Sequence, residues 1–205
     1  MKKHEYSLQG ASITKLYGNA AVLRDISLSM SSPSSLAITG PNGSGKTTLL
    51  EIIAGIQRPT KGTVQLFRGD TGLRRPWFQE TGYVSPRLRL YDELTAEELI
   101  EFTCASRSTS RDRADEFLSM FNLLAHKRKM LSQYSSGMAQ RLKCILAFIN
   151  EPPLLLLDEP GSNLDREGKD ALFRYLESIR SERILIIATN EKEEADFCRE
   201  RISLG

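Results

Sequence analysis

With three cysteines in 205 residues, the chain is too poor in sulfur for a disulfide framework. Cys104, Cys144 and Cys198 are scattered, odd in number and without C-x-x-C spacing, which argues against a zinc site and favours a reducing compartment. Charge of one sign is also missing. Twenty-eight basic residues face 26 acidic ones, a formal net charge of +2, so neither a nucleic-acid arm nor a polybasic membrane anchor is implied. The clusters Lys127-Arg128-Lys129 and Arg107–Arg113 read as solvated faces. No unbroken apolar run approaches the roughly 20 residues that a membrane-spanning helix needs. Met1-Lys2-Lys3-His4-Glu5-Tyr6 has no apolar stretch behind it and does not read as a secretory signal. There are no internal repeats and no low-complexity tracts. What remains is the expectation of a soluble, cytosolic α/β chain of one or two domains.

Against that plain background one segment stands out. Residues 40–47 read Gly-Pro-Asn-Gly-Ser-Gly-Lys-Thr, and Gly40, Gly45, Lys46 and Thr47 meet the spacing G-x-x-x-x-G-K-[ST]. Glycines let the backbone wrap around phosphates and present N–H groups to their oxygens. Lys46 supplies a positive charge to the outer phosphates, and the Thr47 hydroxyl can ligate Mg²⁺. The context fits: Leu36–Thr39 is a short apolar strand, and Thr47–Ala54 reads as a helix whose N-terminus points its dipole at the anion. Gly40, Pro41, Asn42, Gly43, Ser44, Gly45, Lys46, Thr47 and Thr48 are therefore expected to bind a nucleoside triphosphate.

Strands are expected at Ser12–Leu16 and Ala21–Met30 about a turn at 17–19, then at Gly62–Phe67 and Thr81–Val84. The texture changes near residue 87. Thr95 followed by Glu98 is a capping-box signal for a helix to about Ala105. A second helix is expected over Arg111–Leu124, with Ala114, Phe117, Leu118 and Phe121 as its apolar stripe, and a third over Ser136–Asn150, before Pro152-Pro153. Beyond it the α/β pattern resumes. Leu154–Leu157 and Ile184–Thr189 read as buried strands, with a helix marked by Leu172, Tyr175, Leu176 and Ile179 between them. A short acidic helix over Lys192–Arg201 closes the chain. The expected organisation is one domain, with 1–86 and 151–205 as α/β core and 87–150 as a helical insertion.

Four leucines, Leu154–Leu157, end in Asp158-Glu159. A buried parallel strand thus carries two carboxylates to its carboxyl edge, where open α/β sheets bind ligands. Asp158 can hold Mg²⁺ through water, and Glu159 is suited to orient or polarise an attacking water. At this point the chain resembles the nucleotide-binding domains of ABC transporters along essentially its whole length, with the landmarks in the family's order. Lys15-Leu16-Tyr17-Gly18 resembles the family's aromatic loop, which implies that Tyr17 stacks on adenine with Val22 nearby. Tyr134-Ser135-Ser136-Gly137-Met138-Ala139-Gln140-Arg141 resembles its signature motif, and Gly161-Ser162-Asn163-Leu164-Asp165 the loop that crosses to a partner subunit. The resemblance implies a P-loop NTPase fold with a mixed central sheet, an N-terminal antiparallel β subdomain and a helical subdomain. It also implies ATP and Mg²⁺ as ligands. Two such domains, as homodimer or heterodimer, would pair head to tail, so that Ser135, Ser136, Gly137 and Met138 meet the partner's ATP. A separate membrane-spanning permease would dock near Ser85–Asp92, placing the chain on the cytoplasmic face of the membrane.

Three positions depart from the family pattern. Ser136 carries a Cβ where the signature has glycine. Pro86 stands where a metal-touching glutamine is usual, leaving Ser85 as a weak substitute. Asn190 stands where a histidine normally contacts the γ-phosphate; the chain's histidines are His4 and His126, neither near it in sequence. An amide can donate a hydrogen bond but cannot carry charge or a proton. The expected function is an ATPase using Lys46, Glu159 and Asn190 to drive a transporter. The alternative is a slowly hydrolysing, ATP-gated dimer that regulates or transmits force to an envelope complex. A family member acting on ribosomes or DNA is disfavoured by the mild charge. The chain's short length is similar to the ATP-binding subunit of haem exporters, and the absent glutamine and histidine point away from importers.

Overall fold

The computed structural model describes residues 5–205; His4 and the segment before it lie outside the described residues. Among the described residues, nine strands and six α-helices are arranged about two sheets. β1 (Tyr6–Tyr17), β2 (Ala20–Ser31), β4 (Lys61–Arg68) and β5 (Thr71–Gly72) form an antiparallel sheet in the order β2-β1-β4-β5. β3 (Ser34–Thr39), β6 (Thr81–Val84), β7 (Leu154–Asp158), β8 (Ile184–Ala188) and β9 (Glu200–Ser203) form a parallel sheet in the order β6-β7-β8-β3-β9. The mixture of strand directions expected of the central sheet is thus divided between two sheets.

The parallel strands are apolar on both faces because both are covered. Leu154, Leu156, Ile184 and Ile186 point toward α1 (Lys46–Ile53) and the antiparallel sheet, where Leu49, Ile52, Ile53, Leu8 and Leu66 complete one core. The alternate residues Leu155, Leu157, Leu185 and Ile187 face a second core. It contains α2 (Ala96–Ser106), α3 (Ala114–Met120), α4 (Ser136–Phe148) and α5 (Arg166–Ile179). In this second core Phe148 stacks on Tyr175 with ring centroids 4.6 Å apart, and Phe117 meets Tyr175 edge-on at 5.3 Å.

Local signals behave as expected where they are strong. Thr95 and Glu98 form the full capping box that starts α2. Two helix ends differ from the sequence pattern. α3 stops at Met120 because Asn122 takes a left-handed conformation (φ 54°) that turns the chain out of the helix. α6 (Lys192–Asp196) ends five residues before Arg201, since the chain is needed as β9, which pairs parallel with β3 from Leu36↔Glu200 to Thr39↔Ser203. The basic clusters form surface ion pairs, Lys127 with Asp115 at 2.9 Å and Arg111 with Glu101 at 3.3 Å among them.

Candidate functional site

The loop between β3 and α1 takes its shape from glycines at positions no side chain could share. Gly40 (φ 145°) would bring a Cβ to 2.1 Å from the Leu204 carbonyl oxygen, and Gly45 (φ 98°) one to 2.9 Å from the side chains of Leu23 and Val22. Both φ values lie where L-residues are strained. Gly45 is the residue from which α1 starts, without a side-chain cap, so the first N–H groups of α1 are free of one. Lys46 is 6% exposed, and its ammonium donates to the carbonyls of Gly40 (2.7 Å) and Pro41 (3.2 Å).

Parallel pairing of β7 with β8 and β6 then brings a carboxylate to this loop from 111 residues away. Thr47 Oγ1 donates to Asp158 Oδ2 at 2.7 Å, and the buried Ser85 hydroxyl donates to the same oxygen at 3.3 Å. Asp158 is 2% exposed. Its burial pushes the carboxyl above the usual carboxylate range, and the hydroxyls of Thr47 and Ser85, followed by the Lys46 ammonium, pull the other way. Glu159 follows in the left-handed region (φ 47°), its N–H donating to Ala188 O at 2.8 Å. A glutamate there costs roughly 1–3 kcal/mol, a strain that clusters at functional sites.

Gly45, Lys46, Thr47 and Glu159 border a cavity of 680 Å³, which Tyr17, Val22, Asn42, Gly43, Thr48 and Arg87 also line. Tyr17 stands half-exposed at its edge, its hydroxyl donating to Gln57. Asn190 sits on the other side of the loop, lining a separate 370 Å³ cavity with Gly40 and Pro41, and its amide donates to Asn42 Oδ1 at 2.6 Å. Ser135, Ser136, Gly137 and Met138 are not brought to the loop. They open α4 beside another cavity, where the Ser135 hydroxyl accepts from Met138 N at 3.2 Å. Ser135 and Ser136 are exposed.

A sequence model of the ABC transporter family matches residues 23–162. The chain belongs to the ABC transporter family. Over 204 residues it is 34% identical to the sulfate/thiosulfate import ATP-binding protein CysA of Mesorhizobium japonicum, covering 94% of this chain and 58% of that protein. The corresponding protein of Escherichia coli K12 is 31% identical over 206 residues, covering 96% and 56%. The chain thus spans a little over half the length of these curated relatives. Among solved structures, the ATP-binding subunit of an ABC transporter superposes with a TM-score of 0.87 at 25% identity, covering 96% of this chain and 85% of that one. A dimeric ATP-binding cassette in a post-hydrolysis state, bound to ADP and Pi, gives 0.86 at 26% identity, covering 96% and 94%. The two curated relatives are import proteins by name, whereas the names of the two solved structures give no direction of transport.

Of the side chains that brace the site, Gln140 and Arg141 belong to the signature stretch, whereas Glu194 carried no sequence signal of its own. Gln140 donates to the Pro160 carbonyl at 3.0 Å, Glu194 accepts from Gly161 N at 2.9 Å, and Arg141 pairs with Asp165 at 2.5 Å. Together they fix the loop after Glu159. Glu194 lies in a run of acids that reads as a solvated face, and packing alone singles it out. Arg87 lines the cavity from just beyond Pro86, and a lone arginine in a loop has no local pattern that marks it.

Proposed function

We propose that this ABC domain binds and hydrolyses ATP with Mg²⁺, closing on a second such domain to drive a membrane-spanning permease. The observation that carries it is the Thr47–Asp158 hydrogen bond, in the same cavity wall as Lys46 and Glu159. The donors suit a hard cation: hydroxyl oxygens gathered on one buried carboxylate. No group of three or more His, Cys, Asp or Glu that could hold a metal exists among the described residues, as fits an ion whose remaining ligands are phosphate and water. Thr47 and Asp158 would hold Mg²⁺, with Ser85 supplying an oxygen where Pro86 has none. The ion would neutralise charge on the phosphates.

In this reading Tyr17 and Val22 receive the base, and residues 40–48 cradle the phosphates. Lys46 offsets the charge that develops on the terminal group. The Glu159 carboxylate orients the attacking water and accepts its proton. Asn190 steadies the loop through Asn42. Ser135 accepts from its own helix with a lone pair, which leaves its O–H proton to donate to a phosphate on the facing domain. Residues 87–150 act as the helical subdomain that carries this signature.

The permease would dock at the 340 Å³ apolar cleft beside Ser85–Asp92, where Ile56, Phe78, Leu88, Tyr91 and Phe102 are exposed. No helix among the described residues is long and apolar enough to cross a membrane. In this reading the permease supplies the membrane-spanning element, and the chain lies on the cytoplasmic face of the membrane. Likeness to the import proteins favours import. The hydrogen bond that commits the Asn190 amide to Asn42 favours the second reading, a slowly hydrolysing ATP-gated dimer. Mg²⁺-dependent ATP turnover at high protein concentration, with Glu159→Gln as blank, separates the two. Turnover well above the blank supports the working ATPase, and turnover equal to the blank with ATP bound supports the gated dimer.

A further inference from the structure

The cavity that holds the phosphate loop is lined by two cations, Lys46 and Arg87, and they are held very differently. Lys46 is buried and tied to two loop carbonyls. The Arg87 side chain is 71% exposed, and its guanidinium rests 3.7 Å from Glu51 Oε1. Glu51 itself is mostly buried, its side chain 13% exposed and also accepting from Gln57 Nε2, but an arginine whose own end of the pair lies in solvent at that distance is held weakly.

The root of Arg87 is better fixed than its tip. Its N–H donates to Ser85 Oγ at 3.3 Å, and that hydroxyl in turn donates to Asp158 Oδ2 at 3.3 Å. The main chain of Arg87 is therefore anchored to the Thr47–Asp158 end of the cavity, away from Tyr17. Glu51 follows Thr47 by four residues on α1, so the two share a helix face about 6 Å apart along the axis. Moving the guanidinium from Glu51 to the Thr47 end takes one helical turn of travel, within the reach of a long, exposed side chain. A triphosphate brings more negative charge than the single Lys46 ammonium offsets, while Asn42 and Asn190 nearby are neutral.

We propose that Arg87 swings from Glu51 onto the terminal phosphate of the bound nucleotide, serving as the second cationic side chain of the site and setting its preference for a triphosphate over a diphosphate. The inference rests on the nucleotide reading above. A planar guanidinium holds two phosphate oxygens at once, which an ammonium cannot do with the same geometry. A plain surface ion pair with Glu51 would leave nucleotide binding indifferent to residue 87, and that difference is measurable.

The test is calorimetric titration of ATP and of ADP, each with Mg²⁺, into the wild-type chain, Arg87→Ala and Arg87→Lys. Arg87→Ala should weaken ATP about tenfold and ADP by less than about twofold, as expected for loss of one charge-assisted contact to the terminal phosphate. Arg87→Lys should recover part of the ATP affinity, because charge returns without the fork. Melting temperatures should match, since the side chain is mostly in solvent. An unchanged ATP-to-ADP ratio in Arg87→Ala, or equal losses for both nucleotides, would overturn the proposal while leaving the nucleotide site standing. A wild-type chain that binds neither nucleotide would bring down both readings.

Discussion

The phosphate-loop half of the site and the signature half are built from the same kinds of groups, hydroxyls, glycines and a helix N-terminus, yet they are in opposite conditions. Around the loop, Lys46 and Asp158 are buried, and Thr47 and Asp158 are already in hydrogen-bond contact. At the signature, Ser135 and Ser136 are exposed, and the Ser135 side chain caps its own helix. In the proposed reading the first half holds the phosphates within its own chain, whereas the second, an exposed helix end, meets a phosphate on a second copy. What links them is the segment after Glu159, held by Gln140, Arg141 and Glu194. On that reading the contrast lets a domain bind nucleotide alone and still require a second copy to use it.

The sharpest way to break this comparison is at the loop. Lys46→Ala should weaken ATP binding by on the order of a hundredfold or more, because a buried, charge-assisted contact is lost; retained tight binding in an ATP titration would place the nucleotide elsewhere. Glu159→Gln should lower turnover by roughly a hundredfold or more while leaving binding intact. It should also accumulate an ATP-bound dimer, seen as a larger species in light scattering. A monomer at every protein and ATP concentration would remove the reason for the exposed signature. Asn190→His should raise turnover severalfold, since an imidazole adds a charge that an amide lacks. An unchanged rate would show that the Asn190–Asn42 pair is already adequate. The smallest effect falls on the signature. Ser135→Ala should cost about 1 kcal/mol of stability through the lost helix cap, read as a small fall in melting temperature. It should not alter ATP affinity in the monomer, and a change there would mean that the two halves meet within one chain.

How much was legible in advance follows the range of each signal. The capping box at Thr95 and Glu98 is satisfied within four residues, and the structure contains it as written. The glycines of residues 40–47 answer to local backbone demands, so the loop and its flanking strand and helix were readable. The end of α6 was not, because nothing near Arg201 shows that β3, far away in sequence, pairs with it. The same holds for Asn122, whose left-handed turn ends α3 inside an apolar stripe that reads as continuous helix.

Short-range pattern specifies the chemical parts: a glycine-rich loop ending in Lys46-Thr47, a strand ending in two carboxylates, and a helix start rich in hydroxyls. Which of these parts meet is settled by how the strands pack. Parallel strand order set Asp158 against Thr47 across 111 residues and sent Ser85 in beside it at the place Pro86 left without a donor. It left Arg87 at the cavity wall and turned the Asn190 amide onto the loop. Pairing between strands distant in the chain is a property of the packed sheet, and no local pattern carries it.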